Sequence, residues 1–143
     1  MPRARRSISR VLIPVALTLG LTAVAAASVK SVSYSGTTKQ KQKIAFSVAS
    51  GEVSRIGFKI NDTCPDKHIL RVTIVPTYFP ALALDAKGRF SASVHPPNAA
   101  NQPTSIKATL KRKTVTGAIS DTTLSTKEHK LCHGRTTFTA KTK

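Results

Sequence analysis

Arg55-Ile56-Gly57-Phe58-Lys59-Ile60 decides the fold class of this chain. Large apolar side chains take every second position, and Arg, Gly and Lys stand between them. A period of two sets one face against a core and the other in water, the pattern of a half-buried strand. The same alternation runs outward in both directions. Ile44-Ala45-Phe46-Ser47-Val48 precedes it; Leu70, Val72 and Ile74 follow it, separated by Arg71 and Thr73. Further on, Phe90, Ala92 and Val94 alternate with Arg89, Ser91 and Ser93, and Ile106, Ala108 and Leu110 with Lys107, Thr109 and Lys111. No stretch past Ser28 sustains a 3.6-residue apolar period, so helices are excluded as the main element there.

Turn chemistry places the corners. Ala49-Ser50-Gly51-Glu52 joins two strands, and Asp85-Ala86-Lys87-Gly88 reads as a type I turn with a left-handed glycine. Asn61-Asp62-Thr63-Cys64-Pro65-Asp66-Lys67 reads as a polar loop. Residues 96–103 form the longest loop, because their prolines and asparagines refuse both helix and ladder. Lys111-Arg112-Lys113 is expected at a hairpin tip. The predicted strands are 30–37, 43–49, 52–60, 68–76, 81–85, 88–95, 104–111, 114–120 and 134–141, with 122–133 as loop or as loop holding one short strand. The spacing of strands and turns predicts an all-β fold, an antiparallel two-layer β-sandwich (Ig-like or jelly-roll-like) of about eight strands after an N-terminal signal helix. The alternative is a small β-barrel.

The other end of the chain has a different grammar. Arg3, Arg5, Arg6 and Arg10 precede an apolar run from Val11 to Ala27, which closes in Ala23-Val24-Ala25-Ala26-Ala27-Ser28. A basic start, a short apolar middle and an Ala-x-Ala exit make a secretory signal peptide, cut after Ala25 or Ala27. The division is 1–27 for the signal and 28–143 for a single domain. The rival, an uncleaved anchor, needs ~20 apolar residues, and this run has 17. No Cys follows the run, which disfavours a lipoprotein, and Arg5-Arg6 is a weak twin-arginine signal. The expected location is secreted, extracellular or at the cell surface.

Residues 28–143 keep 19 of the 23 Lys and Arg and all six acids, a net charge of +13. Such a domain attracts anions; the competing view is that the lysines only confer solubility and guard strand edges. Its two cysteines, Cys64 and Cys132, are expected to form a disulfide in an oxidising compartment.

Tyr34-Ser35-Gly36-Thr37, Ile44-Ala45-Phe46-Ser47-Val48, Val53 with Ile56-Gly57-Phe58, Cys64, Gly88-Arg89-Phe90, Val115-Thr116-Gly117-Ala118-Ile119, and Cys132-His133-Gly134 with Phe138-Thr139-Ala140 follow one another in an order that resembles small secreted single-domain β-sandwich proteins of high-GC Gram-positive bacteria. The resemblance spans nearly the whole of 28–143 and rests on turn glycines and core positions. It implies an export signal, one domain and one Cys pair, and no catalytic residues. Two features depart from the pattern: Lys41, where a Gly often follows Gln, and the charged Lys111-Arg112-Lys113 tip.

Several residues carry possible chemistry. His129, Cys132 and His133 joined to Cys64 and His68 would make a zinc set, and the three histidines a copper set. The short paired Cys spacing of a zinc finger is missing, and exported cysteines oxidise, so no metal or other cofactor is expected. No Gly-x-Ser-x-Gly elbow occurs, and each of Glu52, Asp62, Asp66, Asp85, Asp121 and Glu128 suits an ordinary turn or surface role. Tyr78 and Phe79, held between Pro76 and Pro80, are a candidate aromatic contact, with a core plug as the plainer role. Lys39, Lys41 and Lys43 alternate as on one strand face, and Lys111, Arg112 and Lys113 share a tip; these six are the candidate polyanion contacts.

The reading these features support is a secreted non-enzymatic β-sandwich associating with anionic cell-wall polymers or glycans through a basic face. The alternative is an extracellular module that binds an unknown protein, with incidental charge. A secreted hydrolase stands third, and a protease inhibitor acting through 96–103 has nothing in that loop to select it. No specific nucleic acid is expected, because stacking aromatics do not accompany the cations, and membrane contact is expected only through the signal segment if it is uncleaved.

Overall fold

A computed structural model describes residues 28–143; the predicted signal segment, 1–27, lies outside the described residues. Nine strands follow in order: β1 (Val32–Thr38), β2 (Lys43–Ala49), β3 (Glu52–Thr63), β4 (Ile69–Ile74), β5 (Leu82–Ala83), β6 (Arg89–Val94), β7 (Thr104–Lys111), β8 (Thr114–Leu124) and β9 (Leu131–Thr142). The all-β antiparallel fold is as the alternation predicts. Among the described residues no helix is long and apolar enough to cross a membrane.

The strands make one continuous sheet in the order β4-β3-β2-β1-β9-β8-β7-β6, with β5 on β3. The sheet curls until β3 meets β9 at Thr63↔His133. The ring β1-β2-β3-β9 is thereby closed, so the small-barrel alternative describes this closure, while the outer strands fold over it. Phe46 of β2 packs edge-on against Phe90 of β6 and Phe138 of β9, at 6.1 and 6.5 Å between centroids. Ile44, Ile56, Ile60, Ile106, Ile119, Val53 and Val115 complete a core that water does not reach. Ile44, Ile56, Ile60 and Ile106 are apolar members of the alternating runs, and burying each of these side chains contributes about 1.5–3 kcal/mol.

Two expected loops are strand. Asn61, Asp62 and Thr63 extend β3, and 122–133 is a tighter hairpin in which β8 runs to Leu124, β9 starts at Leu131, and the Ser125 N–H donates to the Lys130 carbonyl at 2.9 Å. Sequence reading places Asp62 in a turn because aspartate favours turns. Here its side chain faces inward beside Asp121 of β8, and the ladder continues on both sides of it.

β3 also carries a bulge. Ser47 pairs with Ser54, but Ala45 pairs with Gly57, so Arg55 and Ile56 together oppose Phe46. The extra residue lets both Val53 and Ile56 point into the core. Arg55 absorbs it at φ 56°, a left-handed conformation that bulges of this kind usually give to glycine.

Candidate polyanion-binding face

The cross-strand register assembles residues that lie far apart in the chain. Thr37 pairs with Lys43 and Thr139, Thr139 with Thr116, Thr116 with Thr109, and Thr109 with Arg89. Four threonines therefore stand in one row across β1, β9, β8 and β7, with Lys43 of β2 at one end and Arg89 of β6 at the other. Neighbouring strands are ~4.8 Å apart, so the hydroxyls repeat at about that interval. Alternation points all of them to the outer face.

The flanking rows repeat the chemistry. On one side Lys141 pairs with Thr114, and Thr114 with Lys111. On the other, Lys39 donates its backbone N–H to the Thr137 carbonyl at 2.9 Å, and Thr137 and Lys107 both pair with Ala118. Arg135 stands one step beyond, opposite Ser120. Shallow depressions of about 360, 410 and 490 Å³ run over this face, and all three touch Lys107. Hydroxyls stand among their lining residues, Ser91, Ser105, Thr109, Thr116, Ser120 and Thr137, beside apolar ones such as Ala108 and Ala118.

The six cations read from the sequence are thus only partly brought together. Lys39, Lys43 and Lys111 join the outer face. Lys41 sits in the β1–β2 turn at φ 60°, and Arg112 and Lys113 hold the β7–β8 tip with Arg112 at φ 55°. Lys39, Lys41 and Lys43 do not alternate along a strand, because β1 ends at Thr38 and a turn follows. Arg89, Lys107, Arg135 and Lys141 complete the face; alternation marks Arg89 and Lys107 as outward, but not Arg135 or Lys141, nor which strands lie side by side.

One acid reaches this surface: Asp85 lines the depression of about 410 Å³ beside Arg89. All 19 Lys and Arg of 28–143 are exposed, while Asp62 and Asp121 are buried. Among the described residues the one ion pair made by a Lys or Arg joins Arg89 Nε to Asp85 Oδ2 at 2.7 Å. The hydrogen bonds from Arg89 hold the Asp85 carboxyl below its ordinary range.

Asp121 accepts hydrogen bonds from the Thr104 hydroxyl and, at 2.7 Å, from the Thr123 hydroxyl. Neither Asp62 oxygen receives a hydrogen bond from a protein donor. Its neighbour Asp121 is also an acceptor, so the two carboxyls satisfy each other only with a proton between them. Burial first, then the nearby Asp121 charge, pushes Asp62 up to about 8. Asp62 is fully buried, while Asp121 also lines a small pocket of about 190 Å³ together with Tyr78, Gln102 and Thr104.

At the end of the barrel Cys64 and Cys132 form the expected disulfide, with an S–S length of 2.00 Å. Sγ of Cys64, the His68 ring and the Glu128 carboxyl lie within 4.8 Å of one another. The sulfur is bonded to Cys132, so no thiolate remains for the zinc set. Instead His68 Nδ1 lies against Asp66 Oδ1, and the His68 backbone N–H donates to the same oxygen at 3.0 Å. A hydrogen bond from the Glu128 carboxyl lowers Asp66 to about 2 and raises Glu128 in turn. His133 lies instead beside the Thr122 hydroxyl, 3.1 Å away.

Of the candidate aromatic pair, Phe79 is buried, 4 % exposed, and packs on Phe58 at 6.3 Å. It fills the core-plug role and offers no face to a ligand. Tyr78 is half-buried and covers it edge-on at 5.6 Å.

No protein-family model, curated protein or solved structure matches this chain.

Proposed function

We infer that the protein is a secreted, non-enzymatic β domain that binds an anionic cell-surface polymer or glycan on the outer face of β2-β1-β9-β8-β7-β6. The threonine row bounded by Lys43 and Arg89 carries this reading. A chain lying across the strands meets a hydroxyl at every strand and a cation on either side. The hydroxyls exchange hydrogen bonds with sugar or phosphate oxygens, and the cations release counterions as they engage charged groups. Export is supported by the basic-apolar-alanine start of the sequence and by the disulfide.

The test is retention on a sulfated-polysaccharide matrix. Lys107→Gln/Arg135→Gln/Lys141→Gln removes three charges from the face, and Lys67→Gln/Lys127→Gln/Lys130→Gln removes three elsewhere. The first variant is expected to elute at clearly lower salt. Its binding slope against salt should fall by about one for each cation that no longer engages the polymer. Equal shifts for both variants would reduce the affinity to net charge and defeat the assignment of the face.

A further inference from the structure

A further concavity, of about 280 Å³, lies on the outer side of β2-β3-β4, beyond the Lys43 end of the threonine row. Its surface is almost wholly carbon. Ala45 and Gly57, which pair across β2 and β3, form the floor, and Pro76 forms a wall. Lys43, Arg55 and Lys59 stand at the rim, and no acid lines it. The long stems of these cations extend the apolar wall while their heads stay in water.

Two local features keep this groove open. A Cβ on Gly57 would come to 3.2 Å from Pro76 Cγ, so any side chain there would occupy the floor. The β3 bulge places Arg55 at the rim in its left-handed conformation, a residue type that pays for that position in stability. An outlier of this kind beside an apolar hollow points to a ligand with an anionic end.

The backbone decides which ligand. Peptide groups lie in the plane of a sheet, and those of β2 are shared with β1 and β3, so the floor presents none to a ligand lying above it. An extended peptide would leave its own N–H and C=O groups without partners there. An alkyl chain asks for no hydrogen bonds, and its charged head meets three cations. We propose that this groove binds a free single-chain anionic amphiphile, a medium-chain fatty carboxylate, with the chain on Ala45, Gly57 and Pro76 and the carboxylate at Arg55 and Lys59.

The experiment titrates dodecanoate, below its micelle concentration, into the 28–143 domain with its disulfide formed, and follows backbone amide shifts. Saturable shifts at Ala45, Gly57 and Thr73 are expected. Dodecyltrimethylammonium and acetate, which keep only the chain or only the anion, are expected to leave these signals in place. Arg55→Gly suits the backbone at φ 56°, so it is expected to melt no lower than the parent. It should bind dodecanoate about fivefold more weakly, the effect of removing one exposed charge. Gly57→Val is expected to abolish the shifts. Lys43 is left unchanged because it also belongs to the polyanion face. No shift at these residues with dodecanoate, equal binding of the cationic amphiphile, or attachment to phosphatidylglycerol vesicles without binding of the monomeric carboxylate would each overturn the proposal.

Discussion

At the scale of single residues, the sharpest consequence concerns Asp62. Its folded carboxyl titrates near 8 against an ordinary 3.8. The folded state therefore keeps a proton that the unfolded chain releases, and stability falls as pH rises between those values. The contribution is complete below about pH 4 and gone above about pH 8. Asp66 and Asp85 are shifted downward, so they act in the opposite sense and in a lower window, below their ordinary range. Glu128 is raised and adds a loss that starts near its ordinary value, 4.5. Asp62→Asn replaces the shared proton by an amide donor to Asp121. Denaturant titrations should find the variant close to the parent at pH 4 and more stable at pH 8.5, by on the order of 2 kcal/mol. An unchanged pH slope would show that Asp62 ionises freely. Its neighbour Gly134 makes the burial possible, since a Cβ there would collide with Asp62 Oδ1 and lie 2.8 Å from the Asn61 carbonyl oxygen. Gly134→Ala is expected to cost more than about 2 kcal/mol, measured by the same titration, because backbone cannot yield as a flexible side chain can.

Elements show why the ring closes where it does. β3 and β9 are the two longest strands, twelve residues each, and they meet through the single Thr63↔His133 pairing. The Cys64–Cys132 bond lies next to that pairing and spans 68 positions of sequence. In the chain-entropy account a link over such a loop stabilises by about 4 kcal/mol. Reduction should lower the melting temperature by roughly 15 °C and expose the β3 end and β9 start to hydrogen exchange before β7 and β8. Uniform loss of protection would place the closure elsewhere. Sequence periodicity was enough to locate most of these strands to within a few residues, because Ile, Val and Phe at every second position leave one way to bury them. It stopped short at Asp62 and Asp121, whose side chains carry no apolar signal although they face the core. The candidate face was half legible for the same reason. Alternation marks Arg89, Lys107 and Lys111 as outward, but placing Thr37 beside Thr139 and Thr116 needs a pairing of chain ends that no local pattern encodes.

For the whole molecule, charge is the dominant unbalanced force. Nineteen exposed cations face four acids that are not buried as a pair, and Asp85–Arg89 is the one Lys or Arg ion pair among the described residues. Self-repulsion of this sign weakens the folded state, so added salt should raise the melting temperature by screening it. A polymer that binds the threonine row does more, because it favours the folded state alone. At a hundredfold excess over its dissociation constant the gain is about 2.7 kcal/mol, or roughly 10 °C for a domain of this size. Thermal melts with dextran sulfate, with sodium chloride at matched ionic strength and with neutral dextran separate these effects. Dextran sulfate is expected to exceed the salt effect by several degrees, and neutral dextran to have none. The excess should vanish in Lys107→Gln/Arg135→Gln/Lys141→Gln, while the salt response, which belongs to the whole charge distribution, should shrink only in proportion to the charge removed. An excess that survives this variant would locate the polymer on some other surface, and no excess at all would leave the charge as a determinant of solubility.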